Sequence, residues 1–275
     1  MARVRDVLDE LGLAPSKSRG QNFLKDENQI GRIVGAVLKG ADGAPRLLEI
    51  GPGLGALTRP LLAGGAEIKA VEFDRGLAEN LRENLAGQYP GQLTVLHRDI
   101  LTVTEDELAP EAPFYLFGNL PYNISSPVLF WFLNHRRFFT GAAFMLQKEM
   151  AQRLTANPGG KDYGRLTVAL GLWCEVKTIL DVPPSAFHPR PKVESTVIAL
   201  KPRAESELPP ISPEVVGRLT AAAFAARRKT ILNNLSRAYG RAKAEEALAA
   251  AGIEPGLRAE TLSPMVLADL ALKLE

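Results

Sequence analysis

The stretch RLLEIGPGLGALT, residues 46–58, joins a short apolar run to a glycine-rich turn and then to a helical pattern. Its glycines, Gly51, Gly53 and Gly55, follow the apolar run directly. Glycine is needed there because a side chain would keep a ligand away from the backbone and because positive φ costs other residues energy. In an α/β protein this arrangement places a ligand site at the carboxyl edge of the sheet.

Further β-type runs follow and alternate with helical periodicity, which indicates a parallel sheet covered by helices. Leu77, Leu81 and Leu85 show that periodicity between two of the runs. We therefore predict a Rossmann-like α/β fold. The predicted strands are RLLEI (46–50), EIKAVEF (67–73), LTVLHRD (93–99), FYLFGNL (114–120) and GAAFMLQ (141–147).

The rest of the chain predicts the far edge of the sheet and a second domain. Two further runs, CEVKTILDV (174–182) and KVESTVIAL (192–200), fit edge strands, and a polar, proline-rich linker covers residues 204–213. We expect a sheet domain at residues 1–203 and a small α-helical domain at residues 204–275. The predicted helices span residues 148–156, 166–173, 213–239, 242–251 and 264–274.

Composition limits the setting in which the chain works. The net charge of +2 over 275 residues is too small to attract a polyanion as a whole, so binding of nucleic acid requires clustered charge. The single Cys174 cannot form an internal disulfide, and the sequence shows neither a secretion signal nor an apolar run of membrane-spanning length. These features predict a cytoplasmic protein outside the membrane. We expect a monomer, since no long apolar helix face calls for a partner.

The glycine loop predicts a nucleoside-containing cofactor. Glu72 ends the next strand, where a carboxylate can accept both hydroxyls of a ribose. Gly51, Gly53 and Ala56 also satisfy the dinucleotide pattern G-x-G-x-x-G/A, so this loop leaves both a methyltransferase and a nicotinamide-dependent oxidoreductase open. Asp99 follows a third strand and suits either the adenine amino group of the cofactor or a helix cap.

The run GNLPYNISSP, residues 118–127, indicates chemistry on an amino group conjugated to a ring. Such a nitrogen is a poor nucleophile because its lone pair is delocalised into the ring. The Asn119 side-chain oxygen and the Leu120 carbonyl can accept its two hydrogens, while Pro121 holds that carbonyl rigidly. Tyr122 would stack on a base that has left its own stack. An alternative is a turn with an Asn cap and a packed Tyr, but hydride transfer has no comparable use for this motif.

Five motifs together resemble the small-subunit ribosomal RNA adenine dimethyltransferases of the KsgA or RsmA type, and the match spans nearly the whole chain. The resemblance implies a class I methyltransferase fold with S-adenosyl-L-methionine as cofactor. It also implies transfer of two methyl groups to each of two adjacent adenosines in a hairpin loop near the 3′ end of the small-subunit RNA. The motifs are GQNFL (20–24), EIGPGLGALT (49–58), NLPYNISSP (119–127), FHPRPKVES (187–195) and FAARRKTILNNL (224–235).

The resemblance also implies roles for individual residues. Phe187 resembles a second aromatic plate that closes on the target base opposite Tyr122. Asn22 stands where some members of the family have His, and we expect no change of function. The implied cofactor pocket comprises Asn22, Leu24, Gly51, Gly53, Glu72, Asp99 and Asn119.

RNA would bind to clusters of basic residues. Arg227, Arg228 and Lys229 form the clearest run, although a basic run on a helix is often only a solvated face. Further clusters are Lys17, Arg19 and Lys25, then Arg136 and Arg137, then Arg190 and Lys192. The three histidines, His97, His135 and His188, lack ligand spacing, so we predict no metal.

Three alternatives accompany the small-subunit RNA methyltransferase. Erythromycin-resistance methylases share NxPY and QNFL but modify large-subunit RNA. An oxidoreductase would need a proton relay that the sequence does not offer. A ribosome-assembly factor, bound to the immature small subunit, is compatible with the methyltransferase.

Overall fold

The structure, a computed structural model, describes residues 4–16, 20–42 and 46–275. The chain divides into two compact units. The first comprises residues 1–151 and 177–202, and the second comprises residues 152–176 and 203–275. Residues 152–176, which we expected in the sheet domain, are thus grouped with the C-terminal helices. The boundary between residues 203 and 204 stays a prediction.

Most strands lie where the apolar runs predicted them, including the two runs expected at the far edge of the sheet. The short pair Phe23–Leu24 and Phe187–His188 was not predicted. The strands are β1 (Phe23–Leu24), β2 (Arg46–Ile50), β3 (Ile68–Glu72), β4 (Leu93–His97), β5 (Phe114–Asn119), β6 (Phe139–Gln147), β7 (Cys174–Val182), β8 (Phe187–His188) and β9 (Ser195–Pro202).

Seven of these strands form one sheet, in the order β4-β3-β2-β5-β6-β9-β7. β2 pairs in parallel with β3 on one side and with β5 on the other, and β4 and β6 extend the parallel part. β9 joins β6 antiparallel. The chain therefore leaves β2 at the point where the strand order reverses, and a ligand cleft is expected outside the carboxyl ends of the strands there.

Helices cover the sheet because the central strands are apolar on both faces. In β5 the residues from Phe114 to Gly118 are buried, as expected for a strand covered on both sides. α2 buries Ile30, Ile33, Val34 and Val37. Burial of each aliphatic side chain of this size contributes about 1.5 to 3 kcal/mol. The helices are α1 (Val4–Glu10), α2 (Glu27–Gly40), α3 (Thr58–Ala63), α4 (Arg75–Asn84), α5 (Glu105–Leu108), α6 (Ser125–Asn134), α7 (Lys148–Leu154), α8 (Arg165–Trp173), α9 (Pro213–Ala223), α10 (Ile231–Tyr239), α11 (Arg241–Ala250) and α12 (Pro264–Leu274).

The expected single helix over residues 213–239 is wrong, because the chain there forms two helices with a loop between them. Thr230 caps α10 by accepting a hydrogen bond from the Asn233 amide. The Asn234 side chain donates to the carbonyls of Ala223 and Ala226, at 2.7 and 3.1 Å. Carbonyl groups at a helix end lack intrahelical partners, so this side chain stabilises the break after α9. The basic run is therefore in a loop.

The α/β class is confirmed, with a mixed sheet flanked by helices and a set of C-terminal helices. Within the second unit α9 packs against α8, α10 and α12. Tyr163 is buried there, and its hydroxyl donates to the Leu262 carbonyl at 2.8 Å. Among the residues that the structure describes, no helix has the length and apolarity needed to cross a membrane.

Candidate active site

A cavity of about 350 Å³ opens at the carboxyl ends of β2, β3, β4 and β5. This volume lies within the range of ligand pockets, roughly 300 to 1,000 Å³. The parallel pairing of the strands brings their following loops to one edge, so segments far apart in sequence share one site. The cavity is lined by residues 20–24, 49–54, 56–57, 71–74, 77, 98–100 and 119–124.

The glycine loop after β2 forms one wall of the cavity. Gly51 and Gly53 have φ of +63° and +60°, a left-handed conformation that strains other residues. A Cβ at Gly51 would meet no protein atom within 4 Å, so a side chain would enter the cavity itself. Backbone exposed in this way fits a nucleoside cofactor that approaches the main chain closely.

Glu72 ends β3 beside this loop and is 5% exposed. Its two carboxylate oxygens accept from the Gly53 amide at 3.0 Å and from the Asp74 amide at 2.9 Å. Burial raises the pKa of the Glu72 carboxyl, and backbone amide donors, those of Asp74 and Gly53 first, oppose that rise. A carboxylate has about four lone-pair positions, so these backbone donors leave capacity for a ribose hydroxyl.

Asp99 follows β4, and the structure shows the capping role considered for it, whereas its role toward the cofactor stays a prediction. Its Oδ1 accepts from the Leu101 amide at 3.0 Å and so caps a short 3-10 turn. The residue also lines the cavity. Capping therefore does not remove Asp99 from the candidate cofactor pocket.

The amide of Asn119 has one end fixed. Its Nδ2 donates to the backbone carbonyl of Asn22 at 3.1 Å, and both residues line the cavity. This bond directs the Oδ1 atom away from Asn22. Across the described ranges, no hydrogen-bond donor is found for Asn119 Oδ1 or for the Leu120 carbonyl. Both residues line the cavity, so these two atoms are candidate acceptors for a ligand.

The rest of the NLPY loop is held by neighbouring elements. The Leu120 amide donates to the Met145 carbonyl of β6 at 3.1 Å, and Ser125 Oγ donates to the Pro121 carbonyl at 3.1 Å. The Tyr122 hydroxyl lies 3.2 Å from Ser195 Oγ. The backbone that presents the Leu120 carbonyl is therefore fixed from both sides.

Phe187 is the candidate residue of this unit that does not line the cavity. It pairs with Leu24 across the β1–β8 ladder and is 2% exposed, packed among core side chains. Leu24 does line the cavity, so Phe187 lies behind that wall. Its role as a second aromatic plate stays a prediction, and stacking on a base would require its ring to leave the core.

Glu49 and Phe73 line the cavity and were not singled out by the sequence analysis. Glu49 is 2% exposed, and its Oε2 accepts from Thr58 Oγ1 at 2.7 Å. Burial raises the pKa of Glu49 to about 8, with a smaller contribution from the charge of Glu72. In the sequence, Glu49 could have been recognised as an acid inside the otherwise apolar end of the run RLLEI. Phe73 lines the cavity while 57% exposed, and its signal was an aromatic directly after the ribose acid.

The basic run of residues 227–229 is in the second unit. Arg227 is engaged there, since it donates to the Lys161 carbonyl and contacts Glu260 at 3.4 Å. Arg228 and Lys229 are exposed, and no partner for either side chain is found within residues 4–16, 20–42 and 46–275. The run thus offers two uncompensated charges rather than three.

The other basic clusters also include both exposed residues and residues paired with an acid. Arg190 and Lys192 are exposed, whereas Arg137 pairs with Glu105 and lies over the Phe138 ring. Lys17 and Arg19 lie outside the described residues. The described residues contain no group of three or more His, Cys, Asp or Glu side chains that could hold a metal ion.

Known proteins resemble the chain over nearly its whole length. It is 43% identical over 271 residues to ribosomal RNA small subunit methyltransferase A of Magnetococcus marinus, covering 98% of this chain and 95% of that protein. The protein of the same name from Xanthomonas campestris pv. campestris is 45% identical over 252 residues, with 90% of this chain and 92% of that protein covered.

Solved structures give the same picture of the fold. A dimethyladenosine transferase from Plasmodium falciparum superposes with a TM-score of 0.74 at 26% identity, over 91% of this chain and 96% of that one. The 23S rRNA methyltransferase ErmE superposes with a TM-score of 0.64 at 32% identity, over 92% and 99% of the two chains. The methyltransferase class, the Rossmann-like fold and S-adenosyl-L-methionine as cofactor are confirmed by these likenesses. The family model for ribosomal RNA adenine dimethylase matches residues 14–274, and the chain therefore belongs to that family.

Proposed function

We propose that this enzyme transfers two methyl groups to the exocyclic amino nitrogen of each of two adjacent adenosines in a hairpin loop near the 3′ end of small-subunit ribosomal RNA. The observation that carries the proposal is the pair of candidate acceptors, Asn119 Oδ1 and the Leu120 carbonyl, at the wall of the cofactor cavity. Their spacing on adjacent residues suits the two hydrogens of one amino group.

The cofactor would occupy the cavity between the glycine loop and the NLPY loop. Glu72 would bind the ribose hydroxyls, and Asp99 would accept from the adenine amino group of the cofactor. When bound, S-adenosyl-L-methionine supplies an electrophilic methyl group whose bond to sulfur breaks as a bond to the adenine nitrogen forms. The residues assigned to the pocket are Asn22, Leu24, Gly51, Gly53, Glu72, Asp99 and Asn119.

The clamp would activate the nitrogen by geometry. In the first transfer to each adenosine, Asn119 Oδ1 and the Leu120 carbonyl would accept its two hydrogens and favour a pyramidal nitrogen whose lone pair points at the methyl group. In the second transfer, the monomethylated nitrogen has one hydrogen left to donate to this pair of acceptors. No strong general base is needed, because the nitrogen becomes acidic once methylated and then loses its proton to water. Positioning of this kind supplies a large part of the rate enhancement of many enzymes. Tyr122 would stack on the base, and Phe187 would close on its other face after leaving the core.

RNA would be held mainly by charge. Arg228 and Lys229 present unpaired cations, and Arg227 would contribute less because Glu260 already neutralises it. Such contacts release counterions from RNA, so binding should weaken steeply with salt. We infer further that the enzyme acts as a monomer in the cytoplasm on the immature small subunit.

The second candidate is a large-subunit RNA methylase, which the likeness to ErmE favours. Its identity to this chain is 32%, against 43 to 45% for proteins named as small-subunit methyltransferases. The NLPYNISSP and RRKTILNNL spellings also support the small-subunit substrate. Both candidates use the same clamp, so only the RNA distinguishes them.

Incubation with labelled S-adenosyl-L-methionine tests the proposal. The acceptors are unmethylated small subunits, free small-subunit RNA, free large-subunit RNA and DNA, each with the wild-type enzyme and with Asn119→Ala. We expect label as dimethyladenosine in small-subunit RNA with the wild-type enzyme. Label mainly in large-subunit RNA would support the second candidate, and label on no adenine amino group would contradict both.

A further inference from the structure

The Tyr122 ring is tethered at its far end by a residue outside the NLPY loop. Its hydroxyl lies 3.2 Å from Ser195 Oγ, a hydrogen bond between residues 73 positions apart in the chain. Ser195 is 1% exposed. Either hydroxyl can be the donor. The contact therefore joins two of the five motifs, NLPYNISSP and FHPRPKVES.

Ser195 lies in a paired strand of the sheet. It opens β9 and pairs with Gln147 of the antiparallel β6. β6 also pairs with β5, whose last residue is Asn119, and the Leu120 amide donates to Met145 of β6. Hydrogen bonds to the paired strands β6 and β9 thus hold both the backbone of Leu120 and the Tyr122 ring.

The neighbouring hydroxyl on β9 has a different partner. Thr196 Oγ1 donates to Asp181 at 2.6 Å and is also buried. Successive side chains of a strand point to opposite faces, so only one of these two hydroxyls can reach the NLPY loop. Thr196 is therefore a matched internal control for Ser195.

We propose that Ser195 is a positioning residue for methyl transfer, whose hydroxyl holds the far end of the Tyr122 ring at the position needed to stack on the target base. This inference rests on the proposed function. The Tyr122 hydroxyl lies on the long axis of its ring, so a contact at this atom restrains χ1 and therefore the place where the ring lies, while rotation about χ2 remains. A base stacked on this ring would present its amino group to Asn119 Oδ1 and the Leu120 carbonyl.

Single-turnover methylation at saturating cofactor and RNA tests the catalytic part of the inference. Ser195→Ala and Tyr122→Phe should each lower the rate constant by about threefold to tenfold, the equivalent of one net hydrogen bond. The double variant should be no slower than either single variant, because both remove the same bond. The KM for RNA and the affinity for cofactor should stay unchanged. Ser195→Thr, which keeps a hydroxyl, should recover most of the rate.

Thr196→Ala supplies the control for general damage to β9. It should lower the melting temperature at least as much as Ser195→Ala does, while its single-turnover rate stays near the wild-type value. Equal rates for Ser195→Ala, Thr196→Ala and the wild-type enzyme would overturn the inference. Additive losses in the Ser195→Ala and Tyr122→Phe pair would overturn it as well.

A second readout separates this inference from the choice of substrate. In protein labelled with fluorotyrosine, the ¹⁹F signal of Tyr122 is assigned by its loss in Tyr122→Phe. Ser195→Ala should shift or broaden that signal, and Thr196→Ala should not. An unchanged Tyr122 signal in folded Ser195→Ala would refute the tether whatever RNA is modified. A shifted signal with a wild-type enzyme inactive on small-subunit RNA would instead place the fault in the proposed substrate.

Discussion

The NLPY loop of residues 119–125 and the basic loop of residues 224–230 hold their polar groups in opposite ways. In the first loop the amide nitrogen of Asn119, the amide of Leu120 and the hydroxyl of Tyr122 are all bound by neighbouring segments. In the second loop the backbone break is stabilised by Asn234, but Arg228 and Lys229 extend into solvent.

The difference follows from what each loop has to recognise. A reacting amino group must be met at hydrogen-bonding distance in one orientation, so the acceptors need a fixed frame. A phosphate backbone attracts cations over several ångströms and tolerates many side-chain conformations. Variants of the first loop should therefore change the rate sharply, whereas variants of the second should change affinity by degrees.

The largest effect is expected for Asn119→Ala. Deletion of one preorganised polar group at a reacting centre costs about a hundredfold or more in rate. Single-turnover methylation at saturating cofactor measures the loss, while affinity for RNA should hardly change. Asn134→Ala, at the exposed end of α6, is the matched control. A near-normal rate for Asn119→Ala would refute the clamp, and with it the contrast between the two loops.

Glu72→Ala should come next, through binding of the cofactor rather than of RNA. Loss of hydrogen bonds to a charged group costs about 1.5 to 3 kcal/mol, or roughly one to two decades in affinity. The Gly53 and Asp74 amides also lose their acceptor, which adds to the effect. Calorimetric titration with S-adenosyl-L-methionine measures it, with exposed Glu79→Ala as control. An unchanged dissociation constant would place the ribose elsewhere.

Glu49→Gln tests whether burial keeps the Glu49 carboxyl protonated in the folded protein. With a pKa of about 8 in the folded protein against an ordinary value of 4.5, Glu49 keeps a proton that the unfolded chain releases. Its contribution to stability is therefore complete below pH 4.5 and is lost as pH rises towards 8. The slope reaches at most about 1.4 kcal/mol per pH unit.

Gln keeps an acceptor for Thr58 but cannot titrate, so the variant should flatten the decline of stability between pH 5 and 8. Denaturant unfolding at a series of pH values measures the slope. Glu79→Gln is the control, because Arg75 holds the pKa of Glu79 below its ordinary value and outside this window. Parallel curves for Glu49→Gln and the wild type would show that Glu49 is ionised in the folded protein.

The smallest effects are expected in the basic loop. Arg228→Ala and Lys229→Ala should each reduce the logarithmic salt slope of RNA binding by up to about 0.7 to 0.9. Arg227→Ala should change it less, because Glu260 already compensates that charge. Arg241→Ala, paired with Glu245 on α11, is the control. Identical slopes for all four variants and the wild type would make this loop a solvated surface.

Local patterns in the sequence were sufficient for much of the fold. The apolar runs predicted the parallel strands because a strand buried on both faces has to be apolar throughout. The glycines after β2 and the acid after β3 indicated the cavity, since parallel strands end at a common edge. Asp99 was given two alternative roles; the structure shows the cap, and Asp99 also lines the cavity, where its role toward the cofactor stays a prediction.

Local patterns failed where a distant residue decides the outcome. The helical pattern continued through residues 224–230, but the Asn234 side chain and the Thr230 cap divide it. The aromatic character of Phe187 was evident, while its burial behind Leu24 depends on the β1–β8 pairing. The sequence places Glu49 in a predicted apolar strand, but its pKa is raised because the folded protein buries its carboxyl.

By itself, then, the sequence determined the α/β class, the glycine loop, the NLPY motif and the family to which they belong, because each is written in neighbouring residues. Only the tertiary structure decided which way the Asn119 amide points and what holds the Tyr122 ring. Those outcomes depend on hydrogen bonds between residues 97 and 73 positions apart. Pairing at such distances is set when the strands assemble, and the short-range periodicity of a chain carries no information about it.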